Sequence, residues 1–330
     1  MRRGVLRHTA PWHLGFRPVV ASVAVATMVI SVASCSAGRT AGSSEGGRRV
    51  APSSGCERRA AARGAVPAGR EQTRTLDAGS VRGSYQLAVA RTYRSRTPTP
   101  LVLLFYGFGS GPAQFSSLTG LPSRGSRRGY LVAVPHTQGA ESEWQFNAHG
   151  TDARFVDGLV ASLEHAYCID TNAVFATGFS AGAAFTIIYS CAREDRIAAI
   201  ATVAVDYQLG CTRPISIMAF HGTEDPLVPY QNGAIGLSLP GVKVRGTELN
   251  MGDWARLDRC RVSPRQTRTG SQVIRQEWSG CARKTSVVLY TIVGGGHSWP
   301  GANPKLAVGL TTQQVSATSQ ILSFFDGVRR

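Results

Sequence analysis

The pentapeptide Gly178-Phe179-Ser180-Ala181-Gly182 sets a serine midway between two glycines. An apolar run at 173–177 precedes it, and the helix-like Ala183-Ala184-Phe185-Thr186-Ile187-Ile188-Tyr189 follows. A GxSxG match means little by itself, because small residues surround many serines. Strand before and helix after is the context that makes it a nucleophile elbow. The turn is sharp enough that a side chain at either glycine would clash. It also sets the serine at a helix N-terminus, whose amides favour developing negative charge. The competing description is a tight strand-to-helix turn with an incidental serine.

A serine hydroxyl attacks poorly without a base, and the base needs an orienting acid. His297 lies in Gly294-Gly295-Gly296-His297-Ser298-Trp299-Pro300-Gly301, late in the chain and directly after an apolar run at 286–293. Such a loop can carry an imidazole over a neighbouring strand end. His221 closes its own apolar run in His221-Gly222-Thr223-Glu224-Asp225-Pro226 and is read as shaping the turn that holds the acid. His136, His149 and His165 are read as structural. Asp225 is the preferred acid, with Glu224 and Asp206 as competitors. Ser180, Asp225, His297 is the chain order of nucleophile-elbow enzymes. Acyl transfer also needs amides aimed at the carbonyl oxygen as it gains charge. The N–H of Ala181 is one expected donor, and the N–H of Phe108, in Tyr106-Gly107-Phe108-Gly109, is the other.

Short apolar runs at 85–90, 101–105, 131–135, 173–177, 197–205, 215–220 and 286–293 alternate with helix-like stretches such as 155–164. That pattern predicts an α/β fold with a mostly parallel central sheet covered by helices on both faces. Ligand sites in such sheets lie where strands end, and the polar motifs fall there.

The first 35 residues carry four arginines, no acid, and an apolar core at 19–30 that ends in Val32-Ala33-Ser34-Cys35. This reads as a secretory signal closing on a lipobox, with Cys35 the lipidated residue. Conventional cleavage a residue or two later is the alternative. Six cysteines then remain, an even number that suits an oxidising compartment. Spacing favours Cys260–Cys281 and Cys191–Cys211, which leaves Cys56–Cys168. No CxxC or HxxxH pair is present, so no metal is expected.

The 33 arginines and 3 lysines against 20 acids give a net charge of +16. The densest basic stretch, 36–75, has eight arginines and no aromatic residue, so it reads as a solvated tether and not as a nucleic-acid module. The domain expected to carry the site is 76–330. With 43% hydrophobic residues, whole-chain disorder is excluded, and the 37 glycines follow no collagen period.

From residue 101 onward the chain resembles the polyhydroxybutyrate depolymerase and feruloyl esterase family of secreted α/β-hydrolases. The stretches that carry the likeness are 101–109, 177–182, 221–230, 294–301 and a tail from Thr311-Thr312 through Ala317-Thr318 to Phe324-Phe325. The resemblance implies an α/β-hydrolase fold and ester hydrolysis through an acyl-enzyme. It implies no cofactor, and it supports Ser180, Asp225 and His297 in the roles given above. Polyhydroxyalkanoate, feruloyl ester and acetylated polysaccharide are the substrate classes it allows. Trp299 and Trp144 are the aromatic residues expected to line an acyl or feruloyl pocket, with Phe146, beside Trp144 on the loop after 131–135, a further candidate. The implied partners are that ester and, through a lipid on Cys35, a membrane. Two positions depart from the family pattern. Tyr106 stands where the oxyanion motif usually has histidine, which puts the geometry of that loop in question. Ala183 stands where a second glycine usually follows the elbow. Tyr106 is also the feature behind the alternative function, a catalytically impaired hydrolase fold acting as an envelope binding module.

Overall fold

The computed structural model describes residues 49–58, 65–139, 143–235, 243–304 and 307–329. Cys35 and the segment 1–35 lie outside the described residues.

The strands that build the middle of the sheet are β3 (Thr99–Phe105), β4 (Leu131–Pro135), β5 (Ile169–Phe179), β6 (Ile197–Val203), β7 (Ser216–Gly222) and β12 (Val287–Ile292). β3, β4, β6, β7 and β12 are buried at every residue. Apolar runs without polar alternation produce this, because parallel strands have helices on both faces and no wet side. Their pairings β4–β3, β3–β5, β5–β6, β6–β7 and β7–β12 are all parallel. Antiparallel strands extend each flank. On one side lie β1 (Glu71–Ala78) and β2 (Val81–Ala88), and on the other β10 (Arg265–Thr269) and β11 (Val273–Trp278). The order is β1-β2-β4-β3-β5-β6-β7-β12-β11-β10, a ten-stranded sheet among the described residues. A two-stranded pair, β8 (Gly233–Ala234) and β9 (Lys243–Val244), stands apart from it.

Among the described residues six α-helices cover the sheet: α1 (Pro112–Thr119), α2 (Leu121–Arg127), α3 (Thr151–Ala166), α4 (Ala181–Cys191), α5 (Thr247–Leu257) and α6 (Ala317–Arg329). In α3 the residues Phe155, Val156, Leu159, Val160 and Leu163 recur three and four apart and are buried. Phe325 of α6 stacks on Phe175 of β5 with ring centroids 4.5 Å apart. After β3 the chain turns one way to β4 and the other way to β5. The crevice between β3 and β5 is thus the switch point where α/β sheets hold ligands, and Ser180 follows the end of β5.

The domain reaches further upstream than the boundary expected at 76. β1 opens at Glu71, and part of the segment read as a tether docks on the domain. Pro52 bridges Asp170, the Ala51 N–H donates to Asp170 Oδ1 at 3.0 Å, and the Ser53 hydroxyl donates to the Tyr167 carbonyl at 2.9 Å. Cys56 is joined to Cys168. The Cys56–Cys168 pairing was readable from the cysteines, but the hydrogen bonds that dock residues 51–53 have no signal in an arginine-rich composition. The remaining pairs are Cys191–Cys211 and Cys260–Cys281, as spacing favoured.

Candidate active site

Ser180 sits at φ 54° and ψ −121°, a backbone conformation that costs a non-glycine residue energy and must be enforced by its surroundings. Three contacts enforce it. The Ser180 N–H donates to the Val203 carbonyl of β6 at 2.9 Å, and the Ser180 carbonyl accepts from Ala183 and Ala184 at 2.9 and 3.0 Å. Gly178 and Gly182 are packed so closely that neither tolerates a side chain. A Cβ on Gly178 would strike the Gly182 carbonyl, and one on Gly182 would strike the carbonyls of Phe105 and Tyr106. The start of α4 is thereby pressed against the end of β3, which brings the Tyr106–Gly109 loop beside the serine.

That loop is the expected oxyanion cradle. Among the described residues, neither the Ala181 N–H nor the Phe108 N–H has a hydrogen-bond acceptor. Gly107 lies against the Phe179 ring, where a Cβ would come within 3.0 Å, and Gly109 takes φ 70° to turn the chain into α1. The Phe108 side chain is 59% exposed.

Asp225 and His297 meet across two packed loops. His297 Nδ1 is 2.8 Å from Asp225 Oδ2. Asp225 Oδ1 accepts from the N–H groups of Leu227 and Val228 at 2.8 and 2.9 Å. Burial opposes ionisation of this carboxyl. The His297 hydrogen bond and charge, the Val228 N–H and the charge of His221 outweigh burial and hold it below the usual carboxylate range. The His297 backbone pairs with Val308, the Gly296 N–H donates to Leu310, and the Glu224 N–H donates to Gly295 at 2.9 Å. The His297 ring lies 4.7 Å from the Phe179 ring, the residue just before Ser180. With Nδ1 turned to the acid, Nε2 is the nitrogen left for the serine side. Of the two competing acids, Glu224 is exposed and Asp206 pairs with His221 at 2.6 Å instead.

Tyr106 departs from the family pattern without entering the cradle. Its hydroxyl accepts from the Thr137 N–H at 2.9 Å, and its ring is fully buried. Burial pushes the phenol up to about 12, against the pull of that N–H. It is therefore a neutral pin between the ends of β3 and β4. Ala183 is fully buried under the elbow, so its methyl fills space that the fold provides.

The two tryptophans expected in an acyl pocket belong to the core. Trp144 and Trp299 are each 2% exposed. The Trp144 indole N–H donates to the Tyr106 carbonyl at 2.8 Å, and the ring stacks on Phe185. The Trp299 N–H donates to Thr318 at 3.0 Å, and the ring meets Phe115 edge-on. Both brace the site's loops from behind. The apolar side chains that do face outward from these loops are Phe108, Val308 and Leu310, with Phe146 two residues beyond Trp144. Sequence reading saw Phe146 as an aromatic of this loop but had no signal for Val308 or Leu310, because only the bridge to His297 brings them near.

Fold and site together define an α/β-hydrolase of the serine type. No family model matches the chain. The chain is homologous to feruloyl esterases. It is 28% identical to feruloyl esterase D of Neurospora crassa over 256 residues, which cover 72% of this chain and 82% of that one. It is 29% identical to feruloyl esterase C of Emericella nidulans over 182 residues, 54% of this chain and 60% of that one. Among solved structures, an acetyl xylan esterase from Aspergillus awamori shares the fold with a TM-score of 0.55. That match has 14% identity and covers 77% of this chain and 99% of the other.

Proposed function

We propose that this serine carboxylic ester hydrolase works outside the cytoplasm through Ser180, His297 and Asp225, on esters with an apolar acyl group. In this reading His297 Nε2 takes the Ser180 proton as the hydroxyl attacks the ester carbonyl. The oxyanion gathers on the N–H groups of Ala181 and Phe108. The alcohol then leaves with the proton held by His297, and an acyl-enzyme remains. Water attacks in the second half with His297 again as base, which releases the acid and restores the serine. Each amide donor contributes about 2.7–4 kcal/mol to the transition state.

The observation that carries the reading is the buried Asp225–His297 pair, seated on a loop packed against the strained elbow at Phe179–Ser180. Feruloyl and polyhydroxyalkanoate esters suit the rim of Phe108, Val308 and Leu310 better than acetyl esters, whose acyl group offers one methyl to bury. Three disulfides support export, and a lipid on Cys35 would hold the protein at a membrane. The binding-module alternative rested on Tyr106. Since that phenol is engaged with Thr137, no feature favours it now.

The test is fluorophosphonate labelling of the oxidised protein beside a Ser180→Ala control, followed by kcat/KM on matched feruloyl and acetyl esters. Label on Ser180, absent from the control, with the feruloyl ester preferred, is the expected result. An unlabelled folded protein would sink the mechanism, and a preference for the acetyl ester would sink the substrate assignment.

A further inference from the structure

A second histidine–carboxylate pair lies directly behind the first. His221 Nδ1 is 2.6 Å from Asp206 Oδ2, and His221 Nε2 is 2.9 Å from the Val228 carbonyl. Both side chains are almost wholly shielded from solvent. A carboxylate and a carbonyl can only accept hydrogen bonds, so each imidazole nitrogen has to donate. An imidazole with two N–H groups is an imidazolium. The Thr247 hydroxyl, 2.9 Å from Nδ1, adds a further oxygen on that side.

The pair is anchored at one end and tied to the site at the other. Asp206 Oδ1 accepts from Asn250 Nδ2 at 2.8 Å, and the Asp206 carbonyl accepts from Trp254 Nε1 at 2.8 Å. Both donors belong to α5. At the far end Val228 serves both histidine–acid pairs: its carbonyl is held by His221 while its N–H donates to Asp225 Oδ1. His221 Nε2 also lies 3.7 Å from Asp225 Oδ2, too far for a hydrogen bond but close for two charges shielded from water.

We infer that His221 is a positioning residue for the triad, a buried imidazolium that links α5 through Asp206 to Asp225 and supports that carboxylate with its charge. The inference rests on the reading of Asp225 and His297 as acid and base. The other groups facing His221 do not duplicate the charge. Tyr230 meets the ring edge-on at 5.7 Å, with its hydroxyl on Thr291 and Glu248. Tyr207 follows Asp206. Burial raises both phenols, so they stay neutral. His297 lies beyond Asp225. Burial alone would push His221 down, but the Asp206 charge and hydrogen bond, the Val228 carbonyl and the Asp225 charge outweigh it, and the direction is up. Without His221, Asp206 and Asp225 would be two carboxylates in one dry site with no cation between them until His297 takes a proton.

Two measurements on the oxidised protein test this. The first is nitrogen NMR of wild-type protein carrying labelled histidine. His221 is assigned by its loss in His221→Gln, or by its perturbation in Asp206→Asn should the first variant fail to fold. Both His221 nitrogens are expected to stay protonated at pH 8, and one bare nitrogen there overturns the inference. The second is the pH profile of p-nitrophenyl butyrate hydrolysis. Asp206→Asn presents an amide donor to Nδ1 and forces His221 neutral. It should lower kcat roughly ten- to a hundredfold with KM nearly unchanged. It should also move the acid limb of kcat/KM upward by about half a pH unit or more, because the Asp225–His297 couple takes a proton more easily without the cation. The double variant with His221→Gln should be no worse than the poorer single one. A variant that only melts earlier, with wild-type kcat and an unmoved limb, shows a purely structural role and overturns the inference. Ser180→Ala and His297→Ala separate the two readings. If they retain hydrolysis, the triad itself is wrong; if they lose it while Asp206→Asn behaves as wild type, only the role of His221 fails.

Discussion

His297 Nδ1 and Asp225 Oδ2 lie 2.8 Å apart on loops separated by 72 residues, and both side chains are shielded from solvent. The hydrogen bond makes Nδ1 the donor and leaves Nε2 free to accept a proton. Asp225→Asn can turn an amide N–H toward Nδ1, which reverses the tautomer and puts the proton on the wrong nitrogen. Replacing the acid of such a triad typically lowers kcat by about 10⁴ with the geometry preserved. A loss of that order with an unchanged circular dichroism spectrum is expected. A loss under tenfold would remove Asp225 from the mechanism.

Tyr106 should matter for stability and hardly for rate. Tyr106→Phe leaves the ring in place but removes the acceptor for the buried Thr137 N–H. An unsatisfied buried donor costs about 1–3 kcal/mol. Denaturant unfolding should register a loss of this size, while kcat on a simple ester changes less than threefold. A large drop in kcat at wild-type stability would mean the phenol reaches the oxyanion after all.

Asp258 makes stability depend on pH far from the site. Burial raises its carboxyl from 3.8 to about 6, only partly offset by the nearby Thr285 hydroxyl and by the Ile215 N–H on Oδ1. Among the described residues Oδ2 has no hydrogen-bond partner. Because the folded value lies above the unfolded one, the protonated form suits the fold. The contribution is therefore fully present below about pH 4 and is lost as pH rises through 6. The loss is on the order of 3 kcal/mol for a shift of this size. Asp258→Asn should remove it, so the stability of the variant relative to wild type rises between pH 4 and pH 6.5. Parallel curves across that range would contradict the burial argument.

The Cys56–Cys168 link should hold the upstream segment in place. It joins residues 112 apart, so it closes a long loop in the unfolded chain. Losing a native disulfide typically costs about 2–5 kcal/mol, and the chain-entropy figure for a loop near 100 residues, about 4.7 kcal/mol, lies at the top of that range. The Cys56→Ser, Cys168→Ser double variant should melt earlier and become cleavable by protease near residues 49–58. Ester turnover well below the melting temperature should be kept, because none of the site's hydrogen bonds involves this segment. Unchanged protease resistance would show that the Pro52–Asp170 bridge and the Ser53 bonds suffice without the disulfide.

Much of this protein was legible in its residues. β3, β4, β6, β7 and β12 announce themselves as nearly continuous apolar runs because a strand covered on both faces buries most of its side chains. The elbow could be read because the glycines at 178 and 182 are required by backbone crowding that is local in sequence. β1 and β10 escaped notice for the opposite reason. β1 is exposed or half-buried along its length and β10 is exposed at every residue, so their positions are set by hydrogen bonds to β2 and β11 and not by any pattern of their own. The sequence favoured Asp225 as the acid but left Asp206 and Glu224 open. Asp206, Glu224 and Asp225 are equal in type, and only the crossing of the loops after β6, β7 and β12 gives Asp206 to His221 and Asp225 to His297. The same holds for Trp144 and Trp299, whose neighbours turn them into the core while Phe108 faces water. Residue type and spacing determined the serine elbow and the class of fold, since both depend on contacts between near neighbours. Tertiary packing decided the pairing of charges and the lining of the site, because those depend on which distant loops share one dry space.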